Sequence, residues 1–167
     1  MEEKKATKKV ILEYIKVIVT TVLISYMVLS VFQLSRISGS SMEPQYQDDD
    51  LVMIEKMFYK MSQPKYDDIV VASYQNEFLE ETLIIKRVIG LPGDKIEFID
   101  NQLYRNGKLI KEDYINETMI QEDMKINVPK NTVFLLGDNR NISKDSRVIG
   151  CVDIEEDIIG KVIFELF

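Results

Sequence analysis

The feature that most constrains the fold of this chain is an uncharged segment near its N-terminus. Nineteen residues without a charged side chain lie between Lys16 and Arg36, with the sequence VIVTTVLISYMVLSVFQLS. A helix rises ~1.5 Å per residue, so the segment would span ~28 Å, close to the ~30 Å hydrocarbon core of a bilayer. The segment therefore predicts a membrane anchor, a cleavable signal peptide or a helix buried in a soluble core.

We favour a retained membrane anchor over residues 17–35. A signal peptide also begins with a basic region, but its apolar stretch would be shorter and a small-x-small cleavage site would follow. Five lysines precede the segment, at positions 4, 5, 8, 9 and 16. Because positive charge stays on the cytosolic side of a membrane, we expect residues 1–16 to be a cytosolic basic N-terminus and residues 36–167 an extracytoplasmic domain.

The composition excludes several kinds of site. The chain has no histidine and a single cysteine, Cys151. An intramolecular disulfide, a zinc site of Cys and His, haem bound by His, and a Ser-His or Cys-His catalytic pair are all excluded. The 21 basic and 28 acidic residues give a net charge of −7, which argues against a nucleic-acid-binding protein. If this chain is an enzyme, another type of side chain must transfer protons near neutral pH.

The residues after the uncharged segment show short apolar runs typical of β-strands. The runs are bounded by polar or turn residues and cover positions 51–54, 69–72, 83–85, 96–99, 103–105, 108–110, 133–136 and 162–167. Asn106-Gly107 lies between two of them and predicts a type I′ hairpin turn, which needs positive φ at both positions. Residues 111–131 show no clear period. The pattern predicts an all-β or mainly β domain.

Two segments interrupt this pattern of strands and turns. The first is SGSSMEP at residues 38–44, directly after the expected anchor, and the second is IIKRVIGLPGD at residues 84–94. A Ser-Gly-Ser-Ser stretch is usually a flexible turn. If it carries a nucleophile instead, the residues alone leave Ser40 and Ser41 as rivals.

Lys86 is the candidate for proton transfer in the second segment. Strand alternation places it on one face with Ile84 and Val88, where loss of water would lower the pKa of its amine. A neutral lysine amine can act as a general base toward a serine hydroxyl. From spacing alone, however, most such lysines extend to solvent.

A third segment, GDNRNISKDSRVIG at residues 137–150, changes this balance. The three segments resemble the conserved boxes of the bacterial type I signal peptidases, in the order of that family and after the same kind of anchor. These membrane-anchored Ser/Lys serine proteases, peptidase family S26, remove signal peptides from exported preproteins. The resemblance covers nearly the whole chain, and its last box, matched over fourteen residues, is highly specific.

The resemblance implies catalytic roles for Ser41 and Lys86. The Ser-Met-x-Pro pattern matches Ser41 as the nucleophile, and the Lys-Arg pair matches Lys86 as the neutral general base with Arg87 as its structural neighbour. The oxyanion hole of the family uses the backbone N–H of the nucleophile, here Ser41. Some members add a hydroxyl two residues earlier, and Gly39 lacks that side-chain donor.

The resemblance also implies supporting and substrate-binding residues. Ser143 matches a hydroxyl that can bond the lysine amine and orient it. Asp145 and Arg147 match a structural ion pair. Met42 and Pro44 are expected beside the substrate, and no metal site is expected.

The fold implied by the family is mainly β, an antiparallel, barrel-like domain of the signal-peptidase/LexA type with a single N-terminal transmembrane helix. The implied substrates are secretory preproteins with Ala-x-Ala-like signal peptides, bound in extended form along strands. The lipid bilayer is the other implied partner, and no cofactor or nucleic acid is expected. The implied location is the bacterial cell membrane, crossed once with the N-terminus in the cytosol. Met42 and the apolar residues 51–53 are expected either in a membrane-facing rim or in the core.

The chain departs from the family pattern at two places, and two other functions stay open. Gln45-Tyr46 stands where the family usually has Thr-Leu, and Asp49 where it usually has glycine. One alternative is a self-cleaving Ser/Lys regulator related to the phage-repressor proteases, against which the anchor and the lack of a basic recognition helix count. The other is a catalytically silent, membrane-anchored binding protein, against which the intact Ser41 and Lys86 count.

Overall fold

The computed structural model describes residues 2–75 and 80–166 of the chain. Within these ranges the backbone forms three helices and eleven strands. In chain order they are α1 (Glu2–Val31), β1 (Phe32–Arg36), β2 (Leu51–Glu55), α2 (Met57–Met61), β3 (Ile69–Gln75), β4 (Glu81–Gly90), β5 (Lys95–Ile99), β6 (Gln102–Arg105), β7 (Lys108–Leu109), β8 (Met124–Asn127), β9 (Thr132–Leu136), α3 (Ser146–Ile149), β10 (Val152–Asp153) and β11 (Ile158–Glu165).

Helix α1 contains most of the uncharged segment. The stretch Lys8–Val31 is 24 residues long and, by length and composition, could cross a membrane. Its apolar side chains are almost all exposed, including those of Leu23 and Leu29. A helix buried in a soluble core would show the opposite, so the structure does not support that alternative.

The last four residues of the predicted anchor, 32–35, are not helical in the structure. Phe32–Arg36 form β1, which pairs antiparallel with β2 in a register that runs from Phe32↔Glu55 to Arg36↔Leu51. The backbone groups that would have continued the helix therefore find their hydrogen-bond partners in β2. As a result, α1 leads directly into the sheet without a linker.

Two antiparallel sheets contain all the described strands. The larger has seven strands in the order β1-β2-β11-β3-β4-β9-β10, and the smaller has four in the order β7-β6-β5-β8. Every pair of neighbouring strands is antiparallel. The predicted mainly β, antiparallel fold is confirmed.

Most of the predicted strands are present, and the predicted hairpin turn is confirmed. Asn106 and Gly107 have φ of 53° and 75°, so both turn positions between β6 and β7 are left-handed, as a type I′ turn requires. Strand β8 was not predicted and lies within residues 111–131. Its side chains alternate between half-buried and exposed, so no buried apolar run marks it in the sequence.

Strand β4 changes partners along its length. Its residues from Glu81 to Arg87 pair with β3 on one side, whereas β9 joins the other side only from Arg87 to Gly90. Within the described ranges, no strand pairs with this outer side of β4 before Arg87, or with the outer side of β1. Among the described residues, the outer side of β1 and the first part of the outer side of β4 thus have no neighbouring strand.

Of the two expectations for Met42 and residues 51–53, the structure supports the core for Met42 and Val52. Both are fully buried and belong to an apolar cluster that also contains Tyr46. Leu51 and Met53 are half-buried. The Gln45-Tyr46 departure therefore puts a buried aromatic ring where the family usually has leucine.

Candidate active site

Strand β4 carries Lys86 into the interior of the domain. Lys86 pairs with Val70 of β3, and only 2% of the residue is exposed. Val88, on the same face, is buried in an apolar cluster, and Ile84 packs against that cluster. A fully buried lysine is rare unless its charge is compensated or lost.

The loop between β1 and β2 brings Ser41 to this amine. The Ser41 Oγ lies 2.7 Å from the Nζ of Lys86, a short hydrogen bond. The amine makes a second hydrogen bond of 2.7 Å to the carbonyl oxygen of Ile85. Of the two rival serines, it is Ser41 rather than Ser40 whose hydroxyl the structure places at the lysine.

Burial changes the acidity of this lysine. Loss of water lowers the pKa of Lys86 from 10.5 to about 8, while the carboxylates of Asp145 and Asp138 act in the opposite direction. A pKa of about 8 leaves roughly a tenth of the molecules with a neutral amine at pH 7 and about half at pH 8. A neutral amine at hydrogen-bonding distance can accept the proton of a hydroxyl.

The loop after β9 contains the third sequence segment and supports the backbone at Ser41. The backbone N–H of Asn139 donates to the carbonyl oxygen of Ser41 over 3.1 Å. The side-chain amide of Asn139 donates to the carbonyl oxygen of Ser40 over 3.2 Å. One residue of the loop therefore binds both serines through their main chain.

Gly137 permits this close approach. A Cβ at this position would lie against the hydroxyl of Ser143 and 2.5 Å from the carbonyl oxygen of Ser41. Non-bonded carbon and oxygen atoms cannot be that close, so a side chain would move the loop away from Ser41. The N–H of Gly137 is itself bound by the carboxylate of Asp145, over 3.1 Å.

The predicted ion pair between Asp145 and Arg147 is present. Arg147 Nε lies 2.8 Å from Asp145 Oδ1 and Arg147 Nη2 lies 2.9 Å from Asp145 Oδ2. Both side chains are buried, and Arg147 Nη2 also donates to the carbonyl oxygen of Arg140 over 2.6 Å. The pair ties the start of α3 to the loop after β9.

Ser143 lies next to the site without the hydrogen bond expected of it. Its buried hydroxyl has no hydrogen-bond partner among the residues that the structure describes. The lysine amine binds the Ile85 carbonyl oxygen instead. In this structure the Ser143 hydroxyl packs against Gly137 rather than orienting the amine.

A second buried ion pair lies beside Lys86. Arg87 Nε is 2.8 Å from Asp138 Oδ1, and Arg87 Nη2 is 2.6 Å from Asp138 Oδ2. Bidentate pairs of this kind fix geometry as well as adding energy. The pair joins β4 to the loop after β9, a role that the sequence analysis had not assigned to Asp138.

The two residues expected beside the substrate differ in their burial. Met42 is in the core and Pro44 is exposed, and neither lines the cleft described below. Gly39 is exposed, and its N–H donates to the carboxylate of Asp48 over 2.7 Å.

Asp49 occupies a backbone conformation that favours glycine. Its φ is 79°, in the left-handed region where Asp is one of the few tolerated side chains. Its carboxylate forms an exposed ion pair with Arg36 at 2.8 Å. The family's usual glycine is thus replaced here by a residue that can still adopt the turn.

A cleft of about 360 Å³ opens between β1 and the part of β4 that no described strand joins on its outer side. It is lined by residues of five strands, Gln33, Ser35, Ile54, Val71, Glu81, Leu83 and Ile159. Both bounding strands lead to the paired side chains, because β1 precedes the loop with Ser41 and β4 continues to Lys86. Ser41 and Lys86 themselves line neither this cleft nor a larger cavity of about 580 Å³.

Two residues that no sequence pattern marked reach this region from residues 111–131. Glu112 forms an ion pair with Arg140, and the ring of Tyr114 lies 4.0 Å from the guanidinium of Arg87. Each contact joins residues far apart in the chain. No periodic pattern in the sequence could therefore have predicted these contacts.

Comparison with known proteins identifies relatives over most of the chain. A sequence model of the family described as "Signal peptidase, peptidase S26" matches residues 11–167. The chain is 36% identical over 154 residues to the "Probable signal peptidase I-2" of a Synechocystis species, covering 90% of this chain and 70% of the relative. It is 37% identical over 151 residues to "Signal peptidase IB" of Staphylococcus aureus, covering 78% of this chain and 75% of the relative.

A solved structure is similar as well. The crystal structure of a signal peptidase I from Enterococcus faecalis superposes with a TM-score of 0.51 at 32% sequence identity. The match covers 62% of this chain and 98% of that chain.

The close packing at Gly137 leads to a stability prediction. Gly137→Ala should lower the free energy of unfolding by about 1–3 kcal/mol, because the added methyl group forces the loop away from Ser41. Chemical denaturation of the purified full-length chain in detergent measures the change. As a control, Ile142→Ala in the same loop removes an exposed side chain and should change stability by less than about 0.5 kcal/mol. Equal stability of Gly137→Ala and the unmodified chain would contradict the packing argument.

Proposed function

This chain belongs to the signal peptidases of peptidase family S26, serine endopeptidases that cleave signal peptides from exported preproteins, and on that premise we propose that Ser41 is its nucleophile and Lys86 its general base. The observation that carries the proposal is the 2.7 Å distance between Ser41 Oγ and Lys86 Nζ. The burial that lowers the pKa of Lys86 to about 8 supports it.

In the first step, Ser41 Oγ attacks the carbonyl carbon of the last residue of the signal peptide, and the neutral amine of Lys86 takes the hydroxyl proton. The amine has one lone pair for this proton, while its N–H donates to the carbonyl oxygen of Ile85. The lysinium then protonates the leaving amine, which is the new N-terminus of the mature protein. The peptide bond breaks, and the signal peptide stays on Ser41 as an ester.

The second step releases the signal peptide. Neutral Lys86 takes a proton from water, and the hydroxide so formed attacks the ester carbon and displaces Ser41 Oγ, which regains its proton from the lysinium. In both steps the backbone N–H of Ser41 would bind the oxyanion, without the help of a hydroxyl because residue 39 is glycine. The donors of an oxyanion hole contribute ~10²–10³ in rate each.

The cleft between β1 and β4 is the proposed site for the signal peptide. An extended chain can pair with strand edges through its backbone while its alternate side chains enter pockets. The pockets here are lined mainly by aliphatic side chains of the sheet, including Val71, Leu83 and Ile159. We therefore propose that the cleft accepts small residues of an Ala-x-Ala-like sequence before the cleavage point.

We also propose that α1 crosses the bilayer, with residues 1–16 in the cytosol and the β domain outside. The exposed apolar surface of α1 and the five lysines that precede its uncharged part support this orientation. Because β1 follows α1 directly, Ser41 would lie close to the membrane surface. A translocated cleavage site emerges at that surface.

Helix α2 would be a second membrane contact, in place of the rim expected at Met42 and residues 51–53. Met57, Phe58 and Met61 of α2 are exposed. The helix starts beside the end of α1, where the N–H of Lys56 donates to the carbonyl oxygen of Val31 over 3.0 Å. Exposed apolar side chains at the end of an anchor are placed to enter the interface of the bilayer.

Replacement of either proposed catalytic residue tests the dyad. We expect Ser41→Ala and Lys86→Met each to lower kcat/KM for preprotein cleavage by roughly 10⁴-fold or more. Methionine keeps most of the volume of the buried lysine stem, so the β domain should stay folded. Ser40→Ala is the matched control and should cleave at the rate of the unmodified chain. Substantial cleavage by a folded Ser41→Ala or Lys86→Met variant would refute the assignment.

The pH dependence of cleavage tests the lysine base. Only the neutral amine accepts the proton of Ser41, and the pKa of Lys86 is lowered to about 8. The rate should therefore rise as the pH rises, roughly fivefold between pH 7 and pH 8, and level off above about pH 9. Initial rates of preprotein cleavage in a series of buffers give the profile. A flat profile between about pH 6 and pH 9 would argue against lysine.

A single tryptophan tests the membrane contact of α2. The chain has no tryptophan, so the tryptophan fluorescence of Phe58→Trp in the full-length chain comes from position 58 alone. In vesicles we expect its fluorescence at a shorter wavelength than in water, with quenching by lipids brominated near the headgroup. Tyr104→Trp in the small sheet is the control and should not be quenched. An unquenched, water-like spectrum for Phe58→Trp would show that α2 does not enter the bilayer.

A further inference from the structure

A buried ion pair joins the segment after β7 to the loop behind Ser41. Arg140 donates two hydrogen bonds to the Glu112 carboxylate, of 2.7 Å from Nη1 to Oε2 and 2.6 Å from Nη2 to Oε1. The side chains are only 1% and 7% exposed. This parallel arrangement of two charge-assisted hydrogen bonds determines the relative position of both groups.

Tyr114 connects the same carboxylate to β4. Its hydroxyl donates to Glu112 Oε1 over 2.7 Å, and its ring lies 4.0 Å from the guanidinium of Arg87 and 5.8 Å from that of Arg140. Arg87 directly follows Lys86 in the chain. Tyr114 therefore contacts β4 through Arg87, and Glu112 contacts the loop after β9 through Arg140. These two elements surround Ser41 and Lys86.

Arg140 also fixes the loop that binds the backbone of Ser41. Its Nε donates to the carbonyl oxygen of Gly137 over 2.9 Å. Asn139, between these two residues, donates its backbone N–H to the carbonyl oxygen of Ser41 over 3.1 Å. The Glu112 carboxylate thus holds Arg140, and the residue next to Arg140 in the chain, Asn139, holds the backbone of Ser41.

We propose that Glu112 is a positioning residue that keeps Ser41 in line with Lys86 by fixing Arg140. A buried guanidinium without its carboxylate must find water or another acceptor, so the loop would shift and take the Ser41 backbone with it. A displacement of ~1 Å at a reacting group can cost ~10²-fold in rate. The inference rests on the proposed function, because its effect is on the step that Ser41 and Lys86 carry out.

The test is Glu112→Gln in the full-length chain, with steady-state cleavage of a preprotein as the measurement. Glutamine keeps the size of the side chain and one acceptor but removes the charge. We expect kcat to fall about tenfold and KM to stay within about twofold, because Glu112 does not line the cleft between β1 and β4. A residue that serves only stability would lower the melting temperature without changing the kcat of the folded protein.

Two further variants complete the experiment. Asp113→Asn is the matched control, since this neighbouring carboxylate is 77% exposed and pairs with Lys111 at the surface; its kcat should equal that of the unmodified chain. Tyr114→Phe keeps the ring on Arg87 and removes one hydrogen bond to Glu112, so a smaller loss in kcat with unchanged KM is expected. If Glu112→Gln does not fold, Tyr114→Phe decides the question.

An unchanged kcat in folded Glu112→Gln, or a loss confined to KM, overturns the proposal. So does an unchanged kcat in Tyr114→Phe where it is the deciding variant. These results differ from a failure of the proposed function, in which the unmodified chain would not cleave the preprotein or Ser41→Ala would still do so.

Discussion

Lys86 exchanges its water shell for two hydrogen bonds, to the Ser41 hydroxyl and a main-chain carbonyl oxygen. Its amine stays easy to deprotonate only because the nearest carboxylates already have partners. Asp138 is bound bidentately by Arg87 and Asp145 by Arg147. A free carboxylate here would form an ion pair with the lysine and keep it charged. The two arginines therefore let the loop bury the amine without holding it in the charged form, which could not act as the proposed base.

The loop after β9 has a mechanical role as well as this electrostatic one. It binds the main chain of Ser40 and Ser41 through Asn139, and Gly137 lets it pack that closely. Its own position depends on ion pairs with residues of β4, α3 and the segment after β7. The charged residues of this loop thus pair with arginine or glutamate side chains of β4, α3 and the segment after β7, and none of these ion pairs uses Ser41 or Lys86.

Local patterns in the sequence were enough for most of the strands and for the Asn106-Gly107 turn, because each depends on neighbouring residues. They placed Lys86 on an apolar face, but spacing alone favoured its extension to solvent. The choice of Ser41 over Ser40 needed the family resemblance, since the partner of that hydroxyl is 45 residues away. The end of α1 was misplaced because the pairing of β1 with β2 outweighs the apolar composition of residues 32–35. The contacts of Glu112 and Tyr114, and the unbonded hydroxyl of Ser143, depend on tertiary packing that no local pattern records.

The edges of β1 and β4 at the proposed binding cleft also limit when cleavage can occur. Only a chain without secondary structure of its own can pair with β1 and β4, since a helix or a hairpin has already used its backbone groups. A signal peptide that crosses the bilayer as a helix would have to unwind over its last residues to enter. A mature protein that had folded around its own first residues would no longer fit. As the proposed binding site, the cleft thus favours cleavage while the exported chain is still unfolded.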